Sequence, residues 1–489
     1  MSTASSRPVN DRASAPTAAQ ASRTERDTMG AMKVPADALW GAGTQRAVHN
    51  FPIGGPRFPR RFIKALGLIK LAAAETNAEL GLIPRDVAGA ITAAAAEVVA
   101  GDLDDHFVLD IFQTGSGTST NMNANEVIAN RAIQRLGGEL GSKSPIHPND
   151  HVNLGQSSND VIPTAIHIGA ILAIQEELLP ALRELLDALN AKAEAFHHVI
   201  KTGRTHLQDA TPIRLGQEFR GYAGQVERGI ERAEAALREL GEVALGGTAV
   251  GTGINTHPEF ARRAAARLSE LVGEPVTETT NHFQAQATLD NAVAASGSMR
   301  VIATSLFKIA NDIRWLSSGP RAGLGEIELP EVQPGSSIMP GKVNPVISES
   351  VMMICAQVIG NDAAIAFGGT TGNFEINLTM PLVAYNLIRE IELLAAAAGN
   401  FSRRAVSGIK ATRRGPETVE RGLMIATALA PVIGYDEAAA IAKEAAKTGE
   451  TVREVALRRT QLGEQRLAEI LDPSLMLEPS PDRVGSGGA

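Results

Sequence analysis

The chain has a single cysteine, Cys355, among its 489 residues. An intramolecular disulfide is therefore excluded, and a position between Ile354 and Ala356 in a helical pattern suits a buried, inert thiol in a reducing compartment. Aromatic residues make up only 4% of the chain and strand signals are few, which leaves helices to build the core. Basic residues are not in excess: the net charge is -8, and that balance lacks the electrostatic footprint of a nucleic-acid or anionic-membrane partner. The longest apolar runs contain His167 or Glu97, so none is expected to reach the roughly 20 residues of a membrane span. The ten histidines include neither HExxH nor a His/Cys cluster, so no metal is assigned. No GxSxG elbow follows a strand, which argues against a Ser-His-Asp hydrolase. The glycine cluster Gly246 to Gly253 lacks both the GxGxxG and the Walker spacing and reads as a tight turn near a bundle end.

What remains is length and helical periodicity. A chain of this size predicts two to three domains. Residues 1–23, rich in Ala, Ser and Thr and without an apolar h-region, read as a disordered tail rather than a secretory signal, and the GSGGA end as flexible. From Asn281 to Leu316 the residues Leu289, Ala292, Met299, Ile302, Leu306, Ile309, Ile313 and Leu316 recur at steps of three, four or seven, which predicts one long bundle helix. Helices are also predicted over Leu215–Leu240, Pro345–Phe367 and Met380–Phe401, with Pro163 and Pro180 marking two helix starts between Asp160 and Ile200. The expectation is an all-α protein in three regions: a mixed, mainly helical one over 24–155, a long-helix bundle over 156–408 and a small helical one over 409–489.

Four polar segments interrupt this pattern: Gly115–Asn123, His147–Asp160, Gly203–Ala210 and Gly335–Pro345. The last, GSSIMPGKVNP, joins mobile glycines to prolines that exclude helix, and carries Ser336, Ser337, Lys342 and Asn344, a loop equipped to close over an anion. Ser116, Thr118, Asn121, Ser157, Ser158, Asn159 and Thr205 are neutral donors that can grip carboxylates, and Lys342 adds a full charge, so a small dicarboxylate fits. Any one of these hydroxyls can instead be a helix cap, Ser157, Ser158 and Thr118 above all.

GSSIMPGKVNP, together with GSGTSTNMN, HPNDHVNLGQSSND and GRTHLQDA, resembles the fumarase/aspartase superfamily, over a span from about Arg23 to about Leu477. Gly341, the Ser157-Ser158 pair, Ser116 and the segment GNFEIN resemble the class II fumarases. Ser119–Asn121 and His151–Leu154 are closer to aspartases, and Gly155 follows where a Ser or Cys is more common. The resemblance implies a homotetramer with active sites shared between chains around a core of packed bundles, a cytoplasmic setting, and cofactor-free interconversion of malate and fumarate through an aci-carboxylate. Its alternatives are aspartate ammonia-lyase activity and a catalytically silent structural homologue.

By the same resemblance, Ser336 is the general base. His206, paired with Glu349, polarises or protonates the leaving hydroxyl. Thr118, Ser158, Lys342 and Asn344 bind the substrate carboxylates, with Ser116, Ser157, Asn159 and Thr205 around them. His147, Asn149 and Asp150 match a second anion site, with a structural turn as the alternative. Without the resemblance, a turn serine and a structural histidine would be as good a reading of Ser336 and His206 as a catalytic one.

Overall fold

The computed structural model describes residues 21–481 and 484, so residues 1–20 and the GSGGA end, both called flexible from sequence, lie outside the described residues. Ser22 and Arg23, assigned to the tail, instead open a strand. The helices are α1 (Ala42–Asn50), α2 (Arg60–Glu79), α3 (Arg85–Ala100), α4 (Thr118–Arg135), α5 (Ser158–Ala173), α6 (Leu179–Ala195), α7 (Leu215–Leu240), α8 (Phe260–Val272), α9 (His282–Ala287), α10 (Asp290–Leu316), α11 (Val346–Gly369) and α12 (Met380–Arg404), followed by five short ones, α13 to α17, between Arg414 and Ile470. Among the described residues five two-stranded ribbons accompany them; the two long ones pair β1 (Ser22–Asp27) with β2 (Gly30–Pro35) and β3 (Ile200–Thr205) with β4 (Gln208–Arg214), both antiparallel. The chain is all-α in class, as expected.

Contacts divide the chain into two compact units, with boundaries inside α5, α11 and α12. One unit holds the residues up to Gly169, Gly241–Leu289 and Gly368–Tyr385. In it α2 packs on α3 and α8; Phe62, Leu66 and Ile69 of α2 and Ile91, Ala94 and Val98 of α3 are all without exposed surface. The other unit holds Ala170–Leu240, Asp290–Phe367 and the residues from Asn386. Its bundle packs α7 on α6 and α10, and Leu182, Leu185 and Leu189 on α6, Phe219 and Val226 on α7, and Ile302, Leu306 and Ile309 on α10 are all buried. A separate apolar cluster of Ile425, Leu429, Ile441, Val455, Leu467 and Leu471 binds the C-terminal helices together.

Three sequence expectations are corrected. The helix expected from Asn281 breaks at Thr288, whose extended backbone (φ -123°, ψ 170°) separates α9 from α10, so Leu289 falls in the break while the rest of its stripe is buried on α10. Pro163 does not start a helix: it lies inside α5, which begins at Ser158, and α5 runs into α6 through a wider π turn at Ile174–Leu178 just before Pro180. Pro180 has no N–H for a regular helical bond, which suits it to that irregular junction. Finally, two helical stretches, Ser158–Ala195 and Val346–Gly369, are long and apolar enough to cross a membrane. The apolar window of the first is 72% buried inside the protein, that of the second only 39%. Cys355, on the buried side of α11, meets its expectation: burial pushes its thiol up to about 12, far from the reactive range.

Candidate active site

In the first unit, two helix N-termini bring the expected hydroxyls together. Gly117, at φ 71°, caps α4, and Ser157 caps α5. Thr118 Oγ1 and Ser158 Oγ share a hydrogen bond of 2.7 Å, and Thr118 Oγ1 and Ser116 Oγ share another of 2.8 Å. Unpaired N–H groups and helix dipoles make each N-terminus partly positive, so two of them side by side favour an anion between or above them. A side chain on Gly115 would meet the Leu378 carbonyl at 2.0 Å, so only glycine lets this turn lie against the backbone that donates Met380 N–H to Gly115 O.

The second hydroxyl segment is locked from beneath. The Ser157 N–H donates to Asp160 Oδ1 at 2.9 Å, and Ser157 Oγ accepts the Asn159 N–H at 3.3 Å. Asp160 Oδ2 also accepts the N–H groups of Gly246 and Thr248 at 3.0 and 2.9 Å, which ties the glycine turn to α5. Burial pushes the Asp160 carboxyl up to about 6 against these donors. Asn159 donates its side-chain amide to Ala249 O at 2.7 Å, so in the single chain it holds the same turn. Nearby, the fully buried Lys70 donates to Asn153 Oδ1 and Gln156 Oε1, each at 2.9 Å, and Asn121 Nδ2 reaches that same Asn153 oxygen at 3.2 Å. Sequence reasoning missed both Asp160 and Lys70. The Ser-x-x-Asp spacing of a capping box signals the first, and a lysine inside the apolar run LGLIKLAAA the second.

In the second unit, the loop between Gly335 and Pro345 is closed by its own backbone. The Gly335 N–H donates to Lys342 O at 2.8 Å and Asn344 Nδ2 donates to Gly335 O at 2.8 Å. A Cβ on Gly335 would stand 2.3 Å from Lys342 O, so this closure requires glycine. Within the loop Ser336 Oγ accepts the N–H of Ile338 at 3.2 Å and of Met339 at 3.0 Å. Asn344 thus spends one of its two amide hydrogens on the loop itself. Lys342 is exposed and forms no ion pair among the described residues.

Thr205 and His206 lie exposed at the tip of the β3–β4 ribbon, His206 at φ 54°. Glu349 is exposed in the first turn of α11. Within one chain no hydrogen bond or ion pair joins His206 to Glu349 among the described residues.

His147 caps the turn that follows it. Its Nδ1 accepts the N–H groups of Asn149 and Asp150, both at 3.2 Å. Partial burial holds the imidazole below the usual histidine range, and the Asp150 carboxylate, 3.3 Å from Nδ1, opposes that shift. Lys143 donates to Arg26 O at 2.7 Å. These bonds form a turn at His147, Asn149 and Asp150. No group of three or more His, Cys, Asp or Glu able to hold a metal occurs among the described residues.

A family model described as a lyase matches residues 30–360, and one described as the fumarase C C-terminus matches residues 425–478. Among solved structures, the chain is similar to a class II fumarase from Schistosoma mansoni, with a TM-score of 0.91 at 38% identity over 93% of this chain and 99% of that one. It is also similar to a fumarate lyase:delta crystallin from Brucella melitensis solved with cobalt, with a TM-score of 0.90 at 46% identity over 94% of this chain and all of that one. Fold and site segments together define a lyase of the fumarase type. The fumarate hydratase class II 2 of Bradyrhizobium diazoefficiens is 54% identical over 464 residues, 95% of this chain and 98% of that protein. The chain belongs to the class II fumarate hydratase family, and the aspartase alternative finds no support among these relatives.

Proposed function

We propose that the protein interconverts fumarate and L-malate by adding and removing water, with Ser336 as base and His206 as the group that handles the leaving oxygen. The observation that carries this reading is the pair of backbone N–H groups aimed at Ser336 Oγ. A serine is a poor base in water, but two fixed donors and the adjacent Lys342 charge stabilise its alkoxide once solvent is excluded.

In the dehydration direction, Ser336 takes the proton from the carbon beside one carboxylate, and the electron pair moves into that carboxylate to give the aci-carboxylate. The pair then returns to form the carbon–carbon double bond as the hydroxyl leaves, protonated by His206 to water. Stabilising the doubly charged intermediate falls to preorganised donors: Lys342, the Asn344 amide, and the hydroxyls of Thr118 and Ser158, with Ser116, Ser157, Asn159 and Thr205 around them. This mechanism calls for no cofactor.

The working unit is a homotetramer. Val346–Gly369 leaves most of its apolar window uncovered, and Met353 and Phe367 are 68% and 70% exposed, a stripe too apolar to face water. Packing four bundles together covers it and pairs the exposed His206 with Glu349 across chains. A cytoplasmic place in central carbon metabolism goes with this reading. Parallel assays of L-malate and L-aspartate test it: fumarate is expected from malate alone, and comparable turnover of aspartate would overturn the assignment.

A further inference from the structure

His206 and its neighbour Leu207 form a two-residue hairpin turn with both φ values in the left-handed region, 54° and 62°. Such turns fit the twist of a two-stranded ribbon, yet they are normally filled by glycine or asparagine, because a larger side chain there costs on the order of 1 kcal/mol or more. Both residues are exposed, so the tip has little packing of its own to hold it. An isolated two-stranded ribbon is marginal in water, and the constraint on His206 must come from the ribbon's base.

That base is charged and buried. Lys201 Nζ, with its side chain 1% exposed, lies 2.8 Å from Glu218 Oε1 and 2.9 Å from Glu326 Oε2. Arg204, two residues before His206, places a guanidinium nitrogen 2.6 Å from Glu326 Oε1. One carboxylate, itself 1% exposed, therefore grips two cations of the same strand, one on each side of the bulge where the ribbon's register shifts between Thr202 and Arg204. The bulge would let the strand pivot there. Glu326 is fixed in turn by its backbone: its N–H donates to Leu316 O, at the end of α10, at 2.8 Å, and its carbonyl accepts the Thr412 N–H at 3.0 Å. A buried charge network of this kind is rarely the most stable filling for its volume, since apolar residues often do as well. What it offers is direction.

We propose that Glu326 is a positioning residue for the reaction: by clamping Lys201 and Arg204 to the end of α10 it fixes where the His206 imidazole projects. Glu326 acts through His206 and does not touch substrate. The inference rests on the reading of His206 as the proton-transfer group.

A double-mutant cycle on the full-length protein, with kcat and KM for L-malate as readouts, tests it. His206→Asn removes the imidazole and keeps a residue that tolerates positive φ. Glu326→Gln removes the clamp's charge and keeps its shape. Glu326→Gln alone is expected to lower kcat tenfold or more with KM changed less than threefold, and to cost less than twofold further in the His206→Asn background. An equal fold-loss in both backgrounds would mean that Glu326 merely supports the fold, and it would overturn the proposal, as would an unchanged kcat. Should Glu326→Gln fail to assemble, Arg204→Lys takes its place in the same cycle with the same expectations, because lysine keeps the charge but loses the planar fork. Failure of the underlying reading shows up separately, as a wild-type kcat in His206→Asn alone.

Discussion

Ser336 Oγ accepts the backbone N–H of Met339 at 3.0 Å, inside a loop whose ends are tied by Gly335 and Lys342. The hydroxyl is thus oriented by the chain itself, with no side-chain partner among the described residues. Replacing it with alanine removes the base and leaves the backbone closure intact. We expect Ser336→Ala to bind dicarboxylate normally and to lose on the order of 10² to 10⁴ in kcat. A loss below tenfold in steady-state malate dehydration would assign the base elsewhere.

Lys342 is the loop's one cation, exposed in the single chain and without an ion pair among the described residues. A charge facing a carboxylate works in the ground state and more strongly as charge builds in the intermediate. Lys342→Met is therefore expected to raise KM and lower kcat together. Folded variant protein with the wild-type KM would show that this ammonium points away from substrate.

The long helices were readable because a stripe of apolar residues is a direct imprint of the surface they bury. Leu215–Leu240 appears with the bounds its periodicity gives, and the stripe on α10 is buried from Ala292 to Leu316. Periodicity could not show the break at Thr288, since a residue that turns the chain can leave the apolar spacing intact. The β3–β4 ribbon was missed because its turn, His206-Leu207, carries none of the Asn-Gly or Asp-Gly chemistry that announces a hairpin. The loop bearing Ser336 was legible as a motif. Glu326 was not, because its meaning lies in a contact with Arg204 across 122 positions.

Buried Lys70 predicts a pH dependence of stability. Burial pushes its ammonium down to about 7, with the charge of Asp160 opposing the shift. Below pH 7 the folded and unfolded states both carry the proton, so this group gives stability no pH dependence there while the burial cost of its charge is fully present. Between pH 7 and the ordinary lysine range only the unfolded chain keeps the proton, and stability rises with pH by up to about 1.4 kcal/mol per unit. Asp160 acts at lower pH and with the opposite slope: its raised value makes the folded state the better proton binder between about 4 and 6, so stability falls as pH climbs through that window. The Lys70→Met variant should lose the alkaline rise. Urea midpoints for both proteins at pH 6, 7, 8 and 9 check this, and a difference that stays flat across the series would contradict it.

Activity is expected to survive EDTA, because no ligand set for a metal occurs among the described residues. Loss of turnover with EDTA, reversed by a divalent ion, would overturn the cofactor-free mechanism.

The exposed positions of His206 and Glu349 lead to a test of the shared site. Neither residue reaches the other within a chain, and the uncovered apolar stripe on α11 points to partner chains beside it. If a neighbouring chain supplies the histidine that works with a given Ser336, two dead variants should rescue one another. His206→Ala and Ser336→Ala tetramers, unfolded together in equal amounts and refolded, will contain sites that receive an intact histidine from one chain and an intact serine from another. Each requirement is met in half of the random assemblies, so roughly a quarter of the sites should regain activity. Against two inactive parents, that recovery is large. Native mass spectrometry establishes whether hybrid tetramers have formed. Hybrids that form and remain inactive would mean that His206 and Ser336 must come from one chain, and the shared-site arrangement would fall with them.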